Sequence, residues 1–147
     1  MTGEQWRIGD VTIRRIVELE LTPESGVMER LIPDATPEKL DALQWLRPHF
    51  VDEQGRMRGS VHALVVETPS ATLVVDTCVG NDKVRVNPGF DRLSTGFLDD
   101  LVSVGYRPES VDVVLCTHLH LDHVGWNTIY VDGRWEPTFA NARYLFG

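Results

Sequence analysis

The sequence predicts an α/β fold with a mixed sheet, and three observations carry that prediction. Residues 60–67 and 71–76 are nearly continuous apolar runs joined by Pro69-Ser70, which reads as two paired strands covered on both faces. Phe97, Leu98, Leu101 and Val102 then form an apolar stripe at helical spacing, with Gly105 just past its end, the pattern of a helix laid on a sheet. A further apolar run, residues 111–116, leads directly into a dense cluster of chemistry-bearing side chains.

Taken in order, residues 6–20 read as two short strands or a hairpin. Trp6 to Ile8 and the β-branched run from Val11 to Val17 are strand-like, and Gly9-Asp10 supplies the reversal between them. Residues 19–60 form an irregular excursion with one short helix, where Thr36 caps, Pro37 opens the first turn, Leu40, Leu43 and Leu46 make a stripe, and Pro48 ends it. The excursion carries Met28, Leu31, Ile32, Trp45, Phe50 and Met57, more apolar bulk than a solvated linker needs. Two readings stand: packing onto the body of the protein, or a lid or pocket wall near a site. The second of the paired strands ends in the polar turn Asp76-Thr77-Cys78-Val79-Gly80-Asn81-Asp82. Carboxylates at strand ends are often turn formers, and strand ends are also where α/β proteins collect ligands. Beyond the cluster come Gly125-Trp126-Asn127, the strand-like Ile129-Tyr130-Val131, a turn at Asp132-Gly133, then Trp135, and a final apolar strand-like segment from Ala142 to Gly147. No internal repeat or low-complexity segment interrupts this order.

The 147 residues fit one domain by length, and the formal charge of -8 argues against a binder of nucleic-acid phosphates. No run approaches the ~18 apolar residues of a membrane span, and the first residues lack the apolar core of a secretory signal. The expectation is therefore a cytoplasmic protein with no membrane partner. Cys78 and Cys116 are isolated thiols without disulfide-like or ligand-like spacing, which suits a reducing compartment, and Cys116 reads as a small buried hydrophobe.

The cluster is Thr117-His118-Leu119-His120-Leu121-Asp122-His123-Val124-Gly125, and it holds three of the five histidines. Imidazole nitrogens and carboxylate oxygens suit zinc and neighbouring transition metals, and several such groups buried together without a common partner would be costly to desolvate. His118 and His120, two apart, can turn both rings toward one cation while Leu119 points into the core. Asp122 and His123 follow a turn later and can complete that ion or hold a second one. Four donors suffice for one metal and fall short of two. His49 and His62 are the remaining histidines, and neither is assigned as a ligand.

The run His118-Leu119-His120-Leu121-Asp122-His123 resembles the H-x-H-x-D-H signature of the metallo-β-lactamase superfamily. The strand ending Val75-Asp76-Thr77 is similar to that superfamily's strand with an Asp-Thr turn, although Cys78 stands where glycine is commoner. Gly125-Trp126-Asn127 resembles its lactonase and methyl-parathion-hydrolase-like branch. The resemblance implies that residues 1–147 form one partial domain, the N-terminal half of an αβ/βα sandwich, with helices on one face of a mixed sheet. It implies His118 and His120 as ligands of a first metal, Asp122 and His123 as ligands of a second, and Asp122 as the catalytic group that positions or deprotonates water. Asp76 would support the ligands from behind. Zinc, two ions per complete site, is the expected cofactor, with manganese, iron or cobalt as substitutes. The family's other ligands come from a C-terminal half, so the chain alone is expected to be inactive or weak, a fragment of an active hydrolase.

The function so implied is hydrolysis of a lactone, ester or related small molecule by metal-activated water. The expected partners are that small-molecule substrate and, as an option the sequence leaves open, a second copy in a homodimer. A β-lactamase fits less well without a signal segment. The alternative is a non-catalytic metal-binding or interaction module on the same fold. A di-iron oxidoreductase is a third reading, disfavoured because His120-Leu121-Asp122 holds no glutamate.

Overall fold

The computed structural model describes residues 4–147. The chain divides into two compact units, one formed by the segment up to Glu18 with His62–Gly147, the other by Leu19–Val61. The main sheet has six strands: β1 (Gln5–Ile8), β2 (Val11–Leu21), β3 (Gly59–Glu67), β4 (Thr72–Val75), β5 (Val113–Cys116) and, at the C-terminal edge, β8 (Arg143–Phe146), in the order β1-β2-β3-β4-β5-β8. A separate hairpin pairs β6 (Thr128–Val131) with β7 (Arg134–Pro137).

Turn chemistry sets the two tight hairpins. β1 and β2 close at Ile8↔Val11 with Gly9 left-handed (φ 60°) and Asp10 not, the signature of a type II′ turn. β6 and β7 close at Val131↔Arg134 through Asp132 (φ 49°) and Gly133 (φ 85°), both left-handed, the type I′ signature. β3 and β4 are antiparallel, with Glu67 opposite Thr72. Their longer turn is closed by Thr68, whose backbone N–H and hydroxyl both donate to the Ala71 carbonyl at 2.9 Å.

From β4 onward the sheet is parallel: Val75 pairs with Leu115, and Leu115 with Leu145. Parallel register brings the carboxyl ends of β4, β5 and β8 to one edge, where open α/β sheets place their ligands. The strand starts are tied by Asp112, which takes a hydrogen bond from Thr72 N at 2.8 Å and presents its carbonyl to Arg143 N at 2.9 Å. Coverage differs from expectation. Along β3, Val61, Ala63 and Val65 are buried while His62, Leu64 and Val66 are only half-buried, so one face is closed and the other partly open. An apolar run permits burial on both faces but does not supply a second layer to produce it.

Helix α3 (Phe97–Ser103) buries Phe97 and Leu101 and carries Asp99 and Asp100 in its first turn, where the helix dipole favours negative charge. It ends in a Schellman motif: Gly105 (φ 102°) donates to Val102 O at 3.0 Å and Tyr106 to Leu101 O at 3.1 Å. In the unit Leu19–Val61 the predicted single helix is shorter and has company. α1 (Val27–Leu31) and α2 (Pro37–Asp41) are joined by single 3-10 turns at Pro23–Ser25 and Gln44–Leu46, because the Leu43 and Leu46 end of the stripe leaves α-helical geometry ahead of Pro48. The unit has its own small core of Leu40, Val51 and Met57, with Met28, Ala35 and Leu46 against it. Leu31, Ile32, Trp45 and Phe50 are exposed. No helix among the described residues is long and apolar enough to cross a membrane.

Candidate metal centre

Two turns at the carboxyl edge of the parallel strands build the site. The first leaves β4 through Asp76, Thr77, Cys78, Val79 and Gly80; the second leaves β5 through Thr117 to His123 and enters a 3-10 turn at Gly125–Asn127. Because Val75 and Leu115 are in register, Asp76 N donates to Leu115 O at 2.9 Å and the Asp76 side chain meets Thr117 directly. Thr117 N donates to Asp76 Oδ1 at 2.8 Å and the Thr117 hydroxyl to Oδ2 at 2.8 Å. Asp76 is left-handed (φ 58°), a conformation that aspartate tolerates better than most residues with a Cβ.

The donors predicted from the sequence come together here. The rings of His118 and His120 meet edge to face with centroids 4.7 Å apart, and those of His118 and His123 lie 3.9 Å apart. Asp122 Oδ2 is 3.6 Å from His123 Nε2, and Asp76 Oδ2 is 2.8 Å from His123 Nδ1. That last approach is off the line of a good hydrogen bond, so His123 Nδ1 is buried without an aligned partner. Leu119 departs from its expected inward direction and is 63% exposed, because β5 ends at Cys116 and the alternation of an extended strand ends with it. His49 is exposed within Leu19–Val61, and His62 lies on β3.

Burial alone would raise the Asp76 carboxyl, but the close His123 ring and the hydrogen bonds from Thr117 outweigh it, and the carboxyl titrates below its ordinary range. Cys78 is the reverse case: burial, with the Glu18, Asp76 and Asp122 carboxylates adding to it, pushes its thiol well above the usual value, which keeps it protonated and inert. Its backbone (φ 52°) lies in the region glycine prefers.

The turns are locked together by backbone contacts. Thr77 N donates to His123 O at 2.8 Å, Gly125 N to Cys78 O at 2.7 Å and Trp126 N to Thr77 O at 2.7 Å. The Thr77 hydroxyl donates to Asn127 Oδ1 at 2.9 Å. The crossing is so close that a Cβ on Gly125 would lie 1.9 Å from the carbonyl carbon and oxygen of Val79. A carboxylate that sequence reasoning did not find completes the lock. Glu18 of β2 accepts from Val79 N at 2.7 Å, Gly80 N at 3.1 Å, the Thr95 hydroxyl at 3.1 Å and Trp126 Nε1 at 2.6 Å. Nothing in the spacing of Glu18 announces this, whereas Thr117 was findable as the residue the parallel register sets beside Asp76.

Three imidazoles and two carboxylates in contact, one imidazole nitrogen buried without an aligned partner, are a donor set that fits a divalent transition metal. Among the described residues they stand as a rim: no three of them converge as a closed ligand set.

Lys83 borders the following hairpin, its ammonium 3.7 Å above the Trp135 ring and donating to Thr128 O at 2.9 Å. Burial, with Arg85 beside it, draws its pKa from 10.5 down to about 8. In that interval the unfolded chain binds the proton that the folded chain has released, so stability rises with pH from about 8 to 10.5. Melting temperatures measured across that range are expected to climb for the wild type relative to Lys83→Met, and parallel curves would refute the assignment.

Comparison with known proteins gives three results. The family model described as the metallo-beta-lactamase superfamily matches residues 56–146, more than half of the chain. No curated protein matches. Among solved structures, the chain is similar to hydrolase AbOPH of the beta lactamase superfamily, with 24% identity and a TM-score of 0.60 over 98% of this chain and 44% of that one. It is likewise similar to a probable metal-dependent hydrolase from Staphylococcus aureus, with 22% identity and a TM-score of 0.62 over 95% and 47%. A third is AidC, a dizinc quorum-quenching lactonase, with 18% identity and a TM-score of 0.62 over 97% and 43%. The chain thus spans less than half the length of each, and at these identities the likeness is one of fold.

Proposed function

The chain belongs to the metallo-beta-lactamase superfamily, and from that premise we propose that it contributes one rim of a two-metal hydrolase site acting on a lactone, ester or related small molecule. The observation that carries the reading is the gathering of His118, His120, Asp122 and His123 against Asp76 at the carboxyl edge of β4 and β5. His118 and His120 would hold one ion, Asp122 and His123 the other. Divalent ions at such a site supply Lewis acidity toward a carbonyl or phosphoryl oxygen and make water a better nucleophile at neutral pH. Asp76 turns the His123 ring, and Thr117 holds Asp76 in place with two hydrogen bonds. Asp122, half-buried beside His123, orients the attacking water and accepts its proton at a carboxylate oxygen. The lactone or ester class rests on the resemblance of Gly125-Trp126-Asn127 and on the lactonase among the structural neighbours.

Titration of the purified chain with zinc or cobalt tests this. Wild type is expected to take up metal, and a His118→Ala/His120→Ala double variant is expected to lose at least 10-fold in affinity. Equal uptake by both proteins would sink the ligand assignment. Assay against an aliphatic lactone and an aryl ester then tests the substrate class, on a protein carrying the complete site.

A further inference from the structure

We infer that Glu18 is a positioning residue for the candidate metal centre, a fixed internal anion that sets the height of the His120–His123 turn over Asp76. Among the described residues, the hydrogen bonds of Glu18 go to Val79, Gly80, Thr95 and Trp126, none of them a proposed ligand. Glu18 acts through two arms. Cys78 (φ 52°) and Gly80 (φ 77°) are left-handed on either side of Val79, which is not. Backbone that alternates hand in this way turns successive N–H groups to one side, a concavity that binds anions. Val79 N and Gly80 N both point into it, and Glu18 fills it with one oxygen on each. This arm holds the turn that begins at Asp76. The other arm is Trp126, whose indole N–H donates to Glu18 at 2.6 Å, whose ring stacks on Phe97 at 5.7 Å, and whose backbone N–H donates to Thr77 O. Trp126 closes the turn that carries His120, Asp122 and His123. One carboxylate therefore clamps both turns, and Thr95 braces it from a third segment.

Glu18→Gln removes the charge and sets an NH2 group against donors, so at least one of those N–H groups loses its acceptor. At a temperature where both proteins are fully folded, the amide resonances of His120 to His123 are expected to shift in Glu18→Gln as well as those of Val79 and Gly80. Zinc or cobalt affinity is expected to fall 10- to 100-fold, the range seen when groups behind metal ligands are removed. Trp126→Phe keeps an aromatic ring facing Phe97 while it deletes the indole donor and some buried bulk; it is expected to move the same His120 to His123 amides by less, and it decides the matter should Glu18→Gln fail to fold. Shifts confined to Val79 and Gly80, or unmoved His120 to His123 amides in Trp126→Phe, overturn the inference. The affinity arm rests on the metal-site reading proposed above; the resonance arm does not. A wild type that takes up no metal would defeat that reading and leave the positioning role to be judged by the resonances.

Discussion

Gly125→Ala is expected to collapse the candidate site and to lower the melting temperature by on the order of 10 °C. The added Cβ would sit 1.9 Å from the Val79 carbonyl and 2.5 Å from Gly80 N, and these are backbone atoms held by Glu18 and by Gly125 itself. No side chain can swing aside to make room, so the two turns must separate and give up the bonds between them. Because the atoms in the way are backbone, the cost is expected at or above the upper end of the about 1–3 kcal/mol usual for overpacking. Gly96→Ala is the matched control, because Gly96 has an ordinary backbone (φ -86°) and open space where its Cβ would be. A thermal melt that shifts equally little for both would show that the crossing relaxes freely.

Asp76→Ala is the second large effect. It strips acceptors from Thr117 N and the Thr117 hydroxyl, removes the carboxylate beside His123, and leaves alanine at φ 58°. Together these amount to roughly 3 kcal/mol, the hydrogen bonds that the exposed Thr117 gives to a charged acceptor counting about 1.5–3 and the left-handed backbone about 1. Asp76→Asn, which suits the left-handed region and keeps one acceptor oxygen, is expected to cost less than half of that. The pair also separates the charge from the shape. The folded carboxyl titrates below its unfolded value, so its contribution is present above about pH 3.9 and fades as pH falls through the depressed folded value. Acid unfolding followed by circular dichroism should therefore be steeper for wild type than for Asp76→Asn below that pH. Superimposable acid limbs would place the proton-linked stability elsewhere.

The sequence disclosed most of what local chemistry decides. Left-handed turn residues mark both tight hairpins, Gly105 marks the end of α3, and His118 to His123 are dense enough in donors to stand out without any structure. What remained hidden depends on contacts between distant segments. Glu18 binds backbone N–H groups 61 and 62 residues away, and a backbone donor leaves no trace in residue type. The partly open face of β3 was hidden too, since Leu64 and Val66 look as buried in the sequence as Ala63 and Val65. Leu119 misled for a different reason: alternation was carried past the point where β5 stops being extended.

The bond from Thr117 to Asp76 joins positions 41 apart, and the Cα pairs of β4 and β5 lie one residue closer in sequence. This has a kinetic meaning. No local segment can rehearse the site during folding, because the chain must first close that long loop before any ladder bond repays the entropy. During synthesis at about 5–20 residues per second, Asp76 waits seconds for its partner to be made. Until then the apolar β3 and β4 have an unpaired edge, so the growing chain passes through its most aggregation-prone interval just before the histidines appear. The loop itself is a different matter. Doubling its length would add only about 0.6 kcal/mol to closure, so lengthening the loop between Asp82 and Thr95 should weaken the finished fold little and slow its assembly by no more than about 3-fold.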